Sequence, residues 1–70
     1  MMTDYEICLK VGGKLNPVAT FDMMAVEEST VMQCFELVWY TYQSRKVTFV
    51  TEVVVRDKYT DEIIRHKYVI

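Results

Sequence analysis

His66 is the single histidine of the chain, and any acid–base or nucleophilic chemistry would start from it. Such chemistry needs a base held beside a partner group that orients it. His66 lies between Ile64 and Tyr68 in a strand-like run, so it reads first as a partly buried histidine bonded to a neighbour. A ligand site around His66 and Tyr68 would need a concave pocket with converging polar groups. Ser29 and Ser44 stand in polar punctuation, not on a sharp strand-to-helix turn that would expose a nucleophile. Gly12-Gly13 lacks both the spacing and the following helix of a phosphate cradle. Cys8 and Cys34 form no C-x-x-C pair and read as free thiols. Asp57, Asp61 and Glu62 crowd one turn, but that turn has no glycine and reads as solvated rather than calcium-binding. The residues therefore predict a non-catalytic protein with no metal and no cofactor.

Trp39, Tyr40 and Tyr42, followed by Arg45 and Lys46, combine stacking surface with cations, as single-strand binders do. Arg56, Arg65 and Lys67 would extend these into a basic strip on the C-terminal hairpin. Two features oppose this. The net charge is −2, which works against phosphate binding. Trp39 and Tyr42 also fall on the apolar stripe of a helix. Nucleic-acid binding through Arg45, Lys46, Arg56, Arg65 and Lys67 is thus the alternative reading, behind a protein partner.

The elements that would position these groups follow from periodicity. Tyr5, Ile7, Leu9 and Val11 alternate with polar neighbours, the mark of a strand with one buried face. Gly12 to Pro17 reads as a loop, and a second strand is expected from about Val18 to Met24. Thr30-Val-Met-Gln33 fits a capping box, and Val31, Phe35, Val38 and Tyr42 then recur at helical spacing, widened by Met32 and Trp39. Phe35 to Tyr42 is nevertheless rich in β-branched and aromatic residues, which favour strands. Val47–Arg56 is the strongest strand, Asp57–Asp61 a polar turn, and Glu62–Ile70 the return strand. Ile64, His66, Tyr68 and Ile70 would share one face of it. The predicted architecture is α+β, a ββαββ antiparallel sheet with one helix packed on one face. An all-β five-stranded small barrel is the alternative.

The 70 residues predict a single small domain, 1–70, with 51% apolar and 26% charged residues. A chain this short buries only about 60% of its unfolded surface, and self-association is a common remedy. No run approaches a membrane span, and MMTDYEICLK carries acids where a signal peptide has a basic region, so a cytoplasmic location is expected. No motif points to a known family. In general character, the small size and apolar surplus resemble short accessory proteins of phages and mobile elements.

Charge is unevenly spread. Residues 1–36 hold six acids against two bases, a balance of −4; residues 37–70 hold six bases against four acids, a balance of +2. The acidic group Asp4, Glu6, Asp22, Glu27 and Glu28 would steer the chain onto a basic partner. Leu37 and Tyr40 fall opposite the core stripe of the helix, and Val50 and Val54 fall opposite Phe49, Val53 and Val55 on the strand. One helix covers one face of a sheet, so apolar residues on both faces imply a second cover. The Val69-Ile70 end is expected to be packed or paired. The expected function is a protein-binding module, a homodimer that also occupies a partner protein's surface through Leu37, Tyr40, Val50, Val54, Glu27 and Glu28.

Overall fold

Two adjacent glycines set the first hairpin. The computed structural model describes residues 3–70. In it β1 (Asp4–Val11) turns directly into β2 (Lys14–Asp22) through Gly12 and Gly13, whose φ angles are 58° and 80°. Two successive left-handed residues match the twist of a two-residue hairpin turn, and glycine adopts them without strain. The expected loop from Gly12 to Pro17 is therefore replaced by a tight turn, and β2 begins four residues earlier than its sequence pattern suggested. Pro17 is accommodated because β2 is an edge strand.

β3 (Val50–Asp57) pairs with β1, and β4 (Ile63–Tyr68) pairs with β3. All pairs are antiparallel and the order is β2-β1-β3-β4. The sheet stays open, with β2 and β4 as its edges, so the arrangement is ββαββ and not a barrel. In the turn between β3 and β4, the Asp57 carboxylate accepts from the Tyr59 and Thr60 amides at 2.8 and 3.1 Å.

Phe35 to Tyr42 is helical, inside α1 (Glu28–Ser44). The helix starts earlier than the capping box implied: Glu27 is the N-cap and offers no side-chain bond. A tight turn in which Ala25 and Val26 both donate to the Asp22 carbonyl delivers the chain at that point, and Glu28 suits the positive end of the helix dipole. At the other end Lys46 adopts φ 52°, its amide donates to the Gln43 carbonyl, and Val47 donates to the Tyr42 carbonyl. This is a Schellman closure with lysine where glycine is usual.

Ile7, Leu9, Val31, Phe35, Val50, Val53 and Val55 form the core between α1 and one face of the sheet. Apolar transfer is worth about 25 cal/mol per Å² removed from water, and Phe35, wholly buried, is the largest contributor by volume. Bulges decide several faces. The register passes from Lys10↔Glu52 to Val11↔Val50, leaving Thr51 as an extra residue. That shift brings Val50 into the core instead of beside Val54, and leaves Phe49 exposed instead of inside. A second bulge, at Ile64, sends Ile64 toward the core and leaves Ile63 opposite Arg56. Among the described residues, no helix is long and apolar enough to cross a membrane.

Candidate functional site

The face of the sheet turned away from α1 carries Glu6, Cys8 and Lys10 from β1, Glu52, Val54 and Arg56 from β3, and His66 and Tyr68 from β4. Cys8, Val54 and His66 form one row across three strands. Cys8 is fully buried and Val54 is 2% exposed, although among the described residues no second layer of secondary structure lies over them. Their cover is the ring of longer side chains on the same face. Arg56 Nε donates to Glu6 Oε1 at 2.8 Å, and its Nη1 lies 3.8 Å from Asp61 Oδ1. Burial, foremost, pushes the Cys8 thiol up from its ordinary pKa. On the other side Lys10 Nζ stands 3.6 Å from Glu52 Oε1.

Glu52 has a second partner. His66 Nδ1 lies 2.6 Å from Glu52 Oε2, and the imidazole meets the Tyr68 ring edge-on at 5.6 Å. A carboxylate holding Nδ1 fixes the ring and leaves Nε2 to solvent, the geometry of an oriented base. A groove of about 650 Å³ adjoins it, floored by Val54, Leu15 and Ile63. His66 is thus a partly buried histidine bonded to a cross-strand neighbour, as its place in the sequence suggested, and it stands beside a groove. Cys8 lies beyond Val54 with its thiol buried and protonated, so it does not complete a nucleophilic pair with His66. Among the described residues no cluster of three or more His, Cys, Asp or Glu is placed to hold a metal ion.

A different set of contacts ties α1 to β4. Met32, Glu36, Trp39 and Gln43 recur at helical spacing along the flank of α1. Glu36 accepts from Arg65 Nη2 at 3.1 Å and from Lys67 Nζ at 2.9 Å. Trp39 Nε1 donates to the Tyr68 carbonyl at 2.8 Å, and Lys67 Nζ stands 3.9 Å from the Trp39 ring centroid. Gln43 pairs with the Ile70 backbone through both amide atoms, at 2.7 and 3.1 Å. The Ile70 backbone is therefore held while its side chain stays exposed. The hydrogen bond from Lys67, foremost, holds the Glu36 carboxyl below the usual carboxylate range.

These placements redraw the sites read from sequence. Leu37 and Tyr40 are exposed on the back of α1, 67% and 63% accessible, as their positions on the wheel implied. Val50 and Val54 are covered by their own chain, Val50 because the bulge turns it inward and Val54 because ionic side chains lie over it. Of the acidic group, Glu6 is bound to Arg56, Asp4 accepts from Tyr59 and Asp22 accepts from the Met24 amide. Glu27 and Glu28 are left exposed at the helix N-terminus. The proposed basic strip is divided: Arg56 lies on the open face with Glu6, Arg65 and Lys67 lie on the helix face with Glu36, and Arg45 and Lys46 close the end of α1. Sequence reasoning missed Glu36 as an organising carboxylate, since it was visible only as a charge on the flank of the apolar stripe.

Comparison with protein-family models, with curated proteins and with solved structures finds no match for this chain.

Proposed function

We propose that this chain is a non-catalytic protein-binding module, a homodimer through the open face of its sheet, that acts by occupying a partner protein's surface. The observation that carries the reading is where exposed apolar side chains gather. Val18, Ile63 and Tyr68 stand on the sheet side, and Leu37 and Tyr40 stand on the back of α1. The open face also alternates signs, with Lys10 beside Glu52 and Arg56 beside Glu6. A two-fold axis sets such a face against itself without net repulsion. The case for a dimer thereby passes from Val50 and Val54 to Ile63, Val18 and Tyr68. A small regulator or inhibitor of the phage-accessory kind suits this role, with Glu27 and Glu28 steering it onto a basic partner.

Light scattering across a concentration series tests self-association. Twice the chain mass is expected, returning to one chain mass in an Ile63→Lys, Val18→Lys variant. A single chain mass at every concentration overturns the dimer. Charge reversal of Glu27 and Glu28 to Lys is expected to weaken any partner captured by the chain, and unchanged binding removes the steering role. For the nucleic-acid alternative, binding of a labelled oligonucleotide must fall steeply with salt.

A further inference from the structure

The two edges of the sheet are not equivalent. On β2, Pro17 stands opposite Cys8, at a position whose pairing groups turn outward, and a bulge interrupts the register beside it. Proline has no N–H there, so this edge cannot continue a ladder. On β4 the Val69 amide donates to the Thr51 carbonyl. Hydrogen-bonded and open pairs alternate along an antiparallel ladder, so Val53↔Lys67 and Val55↔Arg65 are bonded pairs. The amides and carbonyls of His66 and Tyr68 therefore point away from the sheet. Trp39 reaches over to the Tyr68 carbonyl, which confirms that direction but occupies that oxygen, so the groups left to an added strand are the His66 N–H and C=O and the Tyr68 N–H. β4 contains no proline and no acid between Ile63 and Tyr68. Beside it, between the strand and α1, runs a groove of about 490 Å³ lined by Met32, Gln33, Glu36, Leu37 and Arg65.

We infer that the β4 edge receives an extended, acidic segment of a partner protein, which adds a fifth strand and sets an apolar side chain in the groove against Met32 and Leu37. An exposed ladder beside a helix groove suits strand addition, in which main-chain bonds hold the segment and alternate side chains enter pockets. Charge selects the occupant. Arg65 and Lys67 share the single carboxylate of Glu36, which leaves one positive charge in excess. A second copy of β4 would set Arg65, His66 and Lys67 against themselves, and like charges directly opposite are unfavourable. An acidic segment gains where a second copy loses. The inference rests on the protein-binding reading but not on self-association, which uses the open face.

Selection of a displayed library of random short peptides on the full chain tests it, followed by mapping of bound peptides by amide chemical shifts. Acidic peptides with alternating apolar residues are expected, shifting the His66 and Tyr68 amides. Arg65→Glu is expected to weaken them about five- to tenfold. His66→Pro removes an outward amide without breaking a backbone bond to β3, at the cost of the His66–Glu52 side-chain pair, and is expected to abolish binding while thermal unfolding stays cooperative. If His66→Pro fails to fold, Arg65→Glu decides the matter, because it leaves the backbone intact. No enrichment, or enrichment of basic peptides, overturns the inference. Peptides that bind with shifts confined to the open face, or to the surface of α1 around Tyr40 with none in β4, overturn it too, yet leave the protein-binding reading standing.

Discussion

Val53, Val54 and Val55 are consecutive, chemically identical and almost wholly buried, yet they occupy two different environments. Val53 and Val55 lie under α1 within the apolar core. Val54 lies on the opposite face under Arg56, Glu52 and their partners. Burial on the first face comes from a packed second layer. Burial on the second comes from the stems of long charged side chains lying over small apolar ones. The first cover is rigid and dry; the second is flexible and keeps its charged heads near water. Loss of accessible area alone does not distinguish them, but their response to perturbation does.

The largest expected effect lies at the centre of the covered face. Phe35→Ala is expected to cost about 3–5 kcal/mol, read by denaturant unfolding, since it empties the largest buried side chain of the core. A loss below about 1 kcal/mol would show that α1 does not form the principal core. Next comes Glu6→Gln, which weakens the bond that holds Arg56 across the open face, with an expected cost of about 1.5–3 kcal/mol. The same variant should speed reaction of Cys8 with a thiol reagent in a Cys34→Ala background. Labelling of unaltered Cys8 as fast as in the unfolded chain would show that the ionic cover does not close.

A paired substitution sharpens the contrast further. Val53→Thr buries a hydroxyl among apolar atoms and is expected to cost about 1–3 kcal/mol. Val54→Thr is expected to cost less than about 1 kcal/mol, because its hydroxyl sits among polar groups that can bond it. Equal losses would erase the distinction between the faces. The smallest effect is pH-dependent and belongs to the seam between α1 and β4. Glu36 is held below its ordinary value of 4.5, so its contribution is complete above that pH. It is lost as pH falls through the lower folded value. Thermal melts of the wild type and Glu36→Gln are expected to differ near neutrality and to converge in acid.

Much of the ββαββ plan was legible. Hydrophobic alternation located β1, β3 and β4, and the spacing of Val31, Phe35, Val38 and Tyr42 identified α1 despite its β-branched and aromatic residues. Burial of that stripe outweighed local propensity, which is worth only tenths of a kcal/mol per residue. Exposure of Leu37 and Tyr40 followed from the same wheel. The faces of Val50, Phe49 and Ile63 did not follow, because a bulge inverts alternation and needs the partner strand to define it. The basic strip failed for the same reason: Arg56 and Arg65 belong to strands whose register sends them to opposite sides.

What the sequence determined by itself was local: the periods, the polar turn at Asp57 and the charge of each segment. These depend on backbone sterics and on neighbours within a few positions. Only the tertiary structure decided that Glu52 holds His66, that Glu36 binds Arg65 and Lys67, and that ions rather than a second helix bury Cys8 and Val54. Each of these joins residues far apart in the chain, and their distances are set by strand register and by the seating of α1, quantities that exist only once the sheet has formed.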